Sequence, residues 1–169
     1  MLNFSAYYRL IRPHQWIKNF LVFAPLFFSG QWQGDKFVAC FITFVAFSLV
    51  SSAAYCLNDV LDRARDKLHP TKCLRPVANE EVSPAGAIQA ALMLFLAGLW
   101  IGTLVSFSVV LVLLIYASLQ LGYALGLKHQ PILEILVLST MYIWRLLAGV
   151  AATAIYPSTW ILITTWLLA

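Results

Sequence analysis

The stretch NDVLDRARD, residues 58–66, groups side chains that can bind a metal ion, in a chain that is otherwise strongly apolar. Its amide and its carboxylates belong to Asn58, Asp59, Asp62 and Asp66. Asn58, Asp62 and Asp66 are four residues apart, so a helix would place them on one face with Asp59 beside them. Like charges at this spacing repel each other, and a positive partner must therefore neutralise them.

Two kinds of positive partner fit this spacing, and the residues alone leave both open. The neighbouring Arg63, Arg65 and Lys67 would make the stretch an ordinary solvated helix end. Alternatively, Mg²⁺ is commonly held by one or two carboxylates together with substrate phosphates and water. In that case the metal ligands and catalytic groups would be Asp59, Asp62 and Asp66.

The basic segment HPTKCLRP, residues 69–76, follows directly and favours a ligand. It carries Lys72 and Arg75 between two prolines that stiffen it. Arginine suits bidentate contacts with phosphate, and lysine acts as a point charge. An acid stripe beside a basic loop therefore indicates a diphosphate site. A positively charged loop without a ligand would explain the basic residues, but not four acid or amide groups in register.

The elements that must position these side chains are membrane helices. The chain is 62% hydrophobic and 11% charged, with a mean hydropathy of +0.83. A spanning helix needs about 20 apolar residues. The sequence predicts an all-α, polytopic transmembrane bundle in one domain, 1–169, with five full spans and part of a sixth. We place these spans at about 16–29, 37–57, 83–105, 109–125 and 132–155, with the sixth beginning at residue 159.

Lysine and arginine positions predict the orientation of these spans. If the spans alternate, most basic residues lie on one side of the bilayer and Lys36 lies on the other. Cytoplasmic loops carry the excess of basic residues. We therefore expect a multi-pass protein of the inner (plasma) membrane whose loop 58–82 is cytoplasmic.

Two ionisable residues fall inside the fifth predicted span. Glu134 and Arg145 are eleven residues apart, so they lie on the same face of a helix, three turns from each other. Ionisable groups within a span usually face a cavity or a partner, which makes both residues functional candidates. A structural role for Arg145, as a partner of a carboxylate or of helix carbonyls, stays open. Lys18 also fits an interface anchor, and for this residue that is the favoured reading.

In the stretches described above, the chain resembles the UbiA-type membrane prenyltransferase superfamily. NDVLDRARD is similar to its first Asp-rich motif, N-D-x-x-D-x-x-x-D. Three further blocks resemble the branch that contains decaprenyl-phosphate phosphoribosyltransferases. They are LIRPHQWIKNFLVFAPLFFSG (10–30), DKLHPTKCLRPVA (66–78) and LGLKHQPILEILVLSTMYIWRLLAG (125–149).

The resemblance implies a helical bundle of about nine spans, of which this chain would be the N-terminal part. It implies transfer of phosphoribose from phosphoribosyl pyrophosphate to a polyprenyl (decaprenyl) phosphate for cell-wall synthesis, with Mg²⁺ assisting the departure of pyrophosphate. The implied partners are the bilayer, the polyprenyl phosphate and a diphosphate-bearing donor. We expect no nucleic acid, and leave a homo-oligomer open. The implied substrate-binding residues are Asn58, Lys18, Lys72, Arg75, Lys128, Glu134 and Arg145.

Two departures and two alternatives accompany the resemblance. The family loop usually continues R-P-I-A-S-G, whereas this chain has Glu80 in place of the glycine, and it has Glu134 where the branch typically has aspartate. Prenyl transfer from a polyprenyl diphosphate to an aromatic or other acceptor would use the same metal motif. From a different class, the remaining alternative is a non-catalytic membrane fragment or a transporter-like helical protein, and we expect residues 1–169 alone to be inactive.

Overall fold

The computed structural model describes residues 3–127 and 130–168, and every regular element in this part of the chain is a helix. Eight α-helices and two 3₁₀ segments follow one another along these residues. They are α1 (Phe4–Ile11), a long 3₁₀ helix (Pro13–Phe23), α2 (Ala24–Ser29), α3 (Gly34–Leu61), α4 (Arg63–Asp66), a 3₁₀ turn (Lys72–Leu74), α5 (Pro84–Thr103), α6 (Phe107–Leu125), α7 (Pro131–Thr153) and α8 (Thr159–Leu168).

Four of these helices are long and apolar enough to cross a membrane. They are α3, α5, α6 and the Ile132–Thr153 part of α7. Helix α8 is apolar but too short to cross. The structure therefore confirms an all-helical fold with several candidate membrane helices, and does not confirm the count of five full spans.

The first predicted span is the one that differs in form. Instead of one α-helix, the chain has the 3₁₀ helix Pro13–Phe23 followed by α2. Arg12 adopts a left-handed backbone (φ 52°), which separates α1 from the 3₁₀ helix. Three residues per turn align every third side chain. Trp16, Asn19 and Val22 thus share one face, which an α-helix would have spread out.

That face runs antiparallel to α3. Trp16 Nε1 donates to Ser52 Oγ at 2.9 Å, and Asn19 Nδ2 donates to Ser48 Oγ at 3.0 Å. Further along, the thiol of Cys40 lies 3.7 Å from the Val22 carbonyl oxygen. The partner numbers fall along α3 as they rise along the 3₁₀ helix, so residues 13–23 accompany α3 along much of its length.

Two glycines allow close helix packing around α3. A Cβ at Gly98 of α5 would lie 2.7 Å from Val50 Cγ2 and 2.9 Å from the Ala46 carbonyl oxygen. A Cβ at Gly149 of α7 would clash with the carbonyl group of Val22. Small residues of this kind let helix backbones approach in membrane proteins, where packing and hydrogen bonds drive association. Both contacts therefore hold α5 and α7 in fixed positions relative to the centre of the fold.

Helix α1 closes the end of the bundle at which α3 stops. Its buried Leu10 packs with Cys56 of α3 and with Val77 and Val82 of the loop that follows α4. Arg9 of α1 also forms an ion pair with Glu81. These contacts fasten the loop 58–82 over the end of α3, where the Asp-rich stretch lies.

Candidate active site

Three residues of the Asp-rich stretch line one cavity. Helix α3 ends at Leu61, Asp62 caps it, and the short helix α4 carries Asp66. Asn58, Asp62 and Asp66 all border a cavity of about 620 Å³, which we call the main cavity. The spacing of four predicts that they lie together, and they do so despite the break in the helix.

Asp59 lies elsewhere. Its side chain is 1% exposed, and its Oδ1 accepts from Arg12 Nη2 at 2.5 Å and from Arg75 Nη1 at 3.4 Å. It borders a smaller cavity of about 340 Å³, the second cavity, on the side of α1. The predicted set of three carboxylates is therefore divided between two cavities.

Basic side chains form another part of the wall of the main cavity. Lys18 comes from the 3₁₀ helix, Lys72 and Arg75 from the loop, and all three border the main cavity. Arg75 Nη1 also donates to Asp66 Oδ2 at 2.8 Å, joining the basic wall to the acidic one. The predicted residue Lys128 lies outside the described residues.

Glu134 and Arg145 of α7 border the same cavity, as their spacing along one face predicts. Glu134 Oε1 accepts from the hydroxyl of Tyr123 at 2.9 Å. Placed near the start of α7 and three turns later, the two residues extend the cavity from the helix end towards the interior. The main cavity thus contains charged groups of both signs at several depths.

Arg145 is held by neutral groups. It is 3% exposed, and Nε donates to Asn19 Oδ1 at 2.9 Å, Nη1 to the Met141 carbonyl oxygen at 2.9 Å, and Nη2 to the hydroxyl of Tyr116 at 3.2 Å. The guanidinium also lies over the rings of Phe47, Tyr116 and Tyr142. Among the residues that the structure describes, the ion pairs do not include Arg145.

Sequence reasoning missed Arg12 and Asn19 as parts of this site. Arg12 was considered only as one of the basic residues that predict orientation. No local pattern indicates its partner Asp59, which is 47 positions away. Asn19 did carry a signal, since it is an amide within an apolar run. It is 1% exposed and joins Arg145 to Ser48 and Ser51 of α3.

The donor set on the wall suits a metal–phosphate complex better than a bare metal ion. Within residues 3–127 and 130–168, no three side chains of His, Cys, Asp or Glu come together as a group that could hold a metal. The amide and carboxylates of Asn58, Asp62 and Asp66 nevertheless share the main cavity with Lys18, Lys72 and Arg75. Mg²⁺ takes one or two carboxylates and completes its shell with phosphate oxygens and water. These residues therefore fit Mg²⁺ bound together with a diphosphate.

Known proteins resemble this chain along most of its length. Decaprenyl-phosphate phosphoribosyltransferase of Mycobacterium tuberculosis is 42% identical over 163 residues, which cover 92% of this chain and 53% of that protein. The protein of the same name from Mycolicibacterium smegmatis is 37% identical over 164 residues, covering 94% of this chain and 52% of its own length. The chain thus spans about half the length of the curated relatives it matches.

A solved structure shares the fold. A UbiA homolog from Archaeoglobus fulgidus bound to DMAPP and Mg²⁺ superimposes with a TM-score of 0.78 at 18% identity, covering 96% of this chain and 59% of that one. The model of the UbiA prenyltransferase family matches residues 19–169, a range that contains the Asp-rich stretch, the basic loop and α7. The chain belongs to the UbiA prenyltransferase family.

Proposed function

We propose that the full-length protein transfers phosphoribose from phosphoribosyl pyrophosphate to a polyprenyl phosphate, such as decaprenyl phosphate. The observation that carries this proposal is the main cavity, which joins Asn58, Asp62 and Asp66 to a set of basic side chains. The names of the relatives from M. tuberculosis and M. smegmatis support this choice of substrates.

Magnesium is the proposed cofactor, and the solved A. fulgidus relative supports it because its description includes Mg²⁺. Bound with the diphosphate, Mg²⁺ would neutralise the charge that develops on the departing pyrophosphate. Asn58, Asp62 and Asp66 would hold the metal complex against the end of α3. Lys72 and Arg75 would bind phosphate oxygens of the donor, and fixed cations at this position lower the barrier to departure.

The lipid acceptor would approach between the 3₁₀ helix and α7. An apolar groove of about 440 Å³ lies there, lined by Phe20, Phe27 and neighbouring apolar side chains. Lys18 and Tyr142 border both this apolar groove and the main cavity. A polyprenyl chain in the apolar groove would therefore present its phosphate to Lys18, with Arg145 deeper in the main cavity. A phosphate monoester is already an anion, so it needs orientation more than deprotonation.

The proposed topology includes a crossing by residues 13–29. At about 2.0 Å per 3₁₀ residue and 1.5 Å per α residue, the 3₁₀ helix and α2 together extend about 31 Å, close to the thickness of a bilayer core. Their antiparallel contacts with α3 support this crossing. With this crossing, the proposed topology has five full spans and a partial sixth. The positions of the basic residues predict that loop 58–82 lies in the cytoplasm and that the spans cross the inner membrane.

Cysteine labelling of intact cells tests this topology. A membrane-impermeant maleimide should modify a cysteine introduced at the exposed Gln33 and leave Cys73, in the loop, unmodified. After the membrane is permeabilised, Cys73 should react. Labelling of Cys73 in intact cells would show that the orientation is the reverse of the one proposed and that the donor site does not face the cytoplasm.

A second candidate reaction is prenyl transfer from a prenyl diphosphate to an aromatic or other acceptor. The observation that favours it is the DMAPP named for the A. fulgidus structure, together with the apolar groove beside the main cavity. Both reactions would use the same metal–diphosphate wall. They differ in which substrate carries the diphosphate.

A transfer assay decides between the two reactions. The full-length protein in liposomes with Mg²⁺ should convert radiolabelled phosphoribosyl pyrophosphate and decaprenyl phosphate into a labelled lipid. The same preparation given a prenyl diphosphate and an aromatic acceptor should form no product above the protein-free control. Product only in the second assay would favour prenyl transfer, and product in neither would contradict both proposals.

A further inference from the structure

Asp59 is separated from the rest of the Asp-rich stretch. Asn58, Asp62 and Asp66 border the main cavity, whereas Asp59 borders the second cavity and is 1% exposed. Helix geometry explains the separation, because a residue one position along an α-helix points about 100° away from its neighbour. Asp59 therefore faces away from the wall on which the diphosphate would bind.

The immediate partners of Asp59 are two arginines. Its Oδ1 accepts from Arg12 Nη2 at 2.5 Å and from Arg75 Nη1 at 3.4 Å. Arg12 and Arg75 each border both cavities. Asp59 thus lies behind the basic wall of the main cavity and connects α1 and the loop to the rigid end of α3.

A metal ion bound to Asp59 would meet strong repulsion at this position. An ion bound to Oδ1 would lie within a few ångströms of two guanidinium groups, and like charges at this distance repel strongly away from bulk water. The other oxygen, Oδ2, is shielded from solvent and has no hydrogen-bond partner among the described residues. Asp59 also borders the second cavity and not the main cavity, which is bordered by Asn58, Asp62 and Asp66.

We infer that Asp59 is a positioning residue: its carboxylate holds Arg12 and Arg75 in the wall of the main cavity so that they can bind the diphosphate, and it does not bind the metal. This inference rests on the proposed function. Free arginine side chains have considerable rotamer entropy, which is lost when they are fixed in one conformation. A fixed carboxylate behind them removes much of that freedom before the donor arrives.

Calorimetric titration with inorganic pyrophosphate separates positioning from metal binding. The full-length protein is titrated once with excess Mg²⁺ and once with EDTA, and the ratio of the two dissociation constants measures what the metal contributes. Asp59→Asn should weaken binding by about tenfold in both titrations and leave the ratio within about twofold of the parent value. The matched variant Asp62→Asn should instead remove most of the effect of Mg²⁺ on pyrophosphate binding, because the Asp62 carboxylate borders the main cavity where the metal would bind.

A double-mutant cycle tests whether Asp59 acts through Arg12. If it does, Arg12→Gln combined with Asp59→Asn should lower kcat/KM for the donor by no more than the larger single effect. Asp59→Glu keeps a carboxylate for the arginines, so it should restore the donor KM to within about fivefold of the parent. This variant also provides a test if Asp59→Asn does not fold.

Three outcomes would overturn the inference. If Mg²⁺ no longer tightened pyrophosphate binding in Asp59→Asn, Asp59 would be a metal ligand. Tighter pyrophosphate binding in both titrations would mean that its charge only opposes the anion. Fully additive effects with Arg12→Gln would separate the two residues. If the parent protein binds no pyrophosphate under either condition, the proposed function fails as well, and the two failures are thereby distinguished.

Discussion

Among the arginines that border the main cavity, two sets have different partners. Arg12 and Arg75, at the end of the bundle that carries the loop 58–82, form ion pairs with Asp59 and Asp66. Arg145, within α7, has only neutral acceptors and aromatic rings around it in the part of the chain that the structure describes. The first set is neutralised by the protein itself, and the second keeps its charge.

This difference indicates separate tasks for the two sets. An ionisable residue inside a span is costly, and one retained there usually serves a substrate or ion pathway. The hydrogen bonds that Arg145 donates to Asn19 and Tyr116 orient its guanidinium group without neutralising it. We therefore propose that Arg145 supplies charge to an anionic substrate group, whereas Arg12 and Arg75 supply well-placed hydrogen-bond donors.

Among the substitutions that test this comparison, the largest effect should come from giving Arg145 a carboxylate partner. Asn19→Asp keeps the shape of the side chain but places a negative charge where the amide oxygen accepts from Arg145 Nε at 2.9 Å. If the free charge of Arg145 matters, this variant should lower kcat/KM by about 100-fold, which is about 2.7 kcal/mol in the barrier. Arg145→Gln should have a similar effect. Steady-state transfer by the full-length protein measures both.

Ser48→Ala is the matched control for Asn19→Asp. It removes one hydrogen-bond partner of Asn19 without adding a charge, so it should lower kcat/KM by about threefold or less. If Asn19→Asp retained activity similar to this control, Arg145 would tolerate a carboxylate partner as Arg12 and Arg75 do, and the proposed difference between the two sets would be wrong.

A smaller effect is expected at Lys18, where the apolar groove meets the main cavity. Lys18→Gln removes a cation that would bind the lipid phosphate, and it leaves Lys72 and Arg75, the proposed contacts of the donor, intact. The KM for polyprenyl phosphate should rise about tenfold, and the KM for the donor should stay within about twofold. Lys36→Gln, at the opposite end of α3, should change neither value. An equal rise in both KM values would show that Lys18 does not distinguish the acceptor from the donor.

The smallest effect concerns Glu80, in the loop beside the basic wall. Its backbone is left-handed (φ 63°), and its carboxylate pairs with Arg63 and Lys67. The hydrogen bond from Lys67, with the charges of Lys67 and Arg63, lowers the pKa of Glu80 below its ordinary value. The family pattern has glycine at this position, where a left-handed backbone causes no strain.

Two substitutions separate the backbone of Glu80 from its charge. Glu80→Gly and Glu80→Ala both remove the ion pairs, but only glycine relieves the left-handed conformation. Glu80→Gly should therefore be more stable than Glu80→Ala by about 1 kcal/mol. Thermal unfolding in detergent compares the two, and a lower Tm for the glycine variant would contradict the assigned backbone conformation.

Long membrane helices could be predicted from the sequence, because apolar runs and their caps are local signals. Helix α5 begins at Pro84 as expected, and the Ser83 hydroxyl accepts from the Gly86 N–H at 3.1 Å. Hydropathy could not distinguish a 3₁₀ helix from an α-helix in residues 13–23. The 3₁₀ form aligns Trp16 and Asn19 with serines of α3, and these are long-range contacts.

The candidate site could also be predicted only where it depends on local helical periodicity. Spacing alone placed Asn58, Asp62 and Asp66 together and put Glu134 and Arg145 on one face, because helical periodicity determines both. The separate position of Asp59 depends on Arg12, which lies between α1 and the 3₁₀ helix. No local pattern indicates that pairing.

The most direct test of the account is the transfer rate of Asp62→Asn in the full-length protein. Asp62 borders the main cavity at the end of α3, and the substitution removes a carboxylate charge of the proposed metal site while keeping the shape of the side chain. Single-turnover transfer of phosphoribose with saturating Mg²⁺ should fall by about 1,000-fold or more, about 4 kcal/mol in the barrier, with unchanged membrane insertion. Transfer within about tenfold of the parent, a barrier change of about 1.4 kcal/mol, would contradict a metal–diphosphate site at this wall.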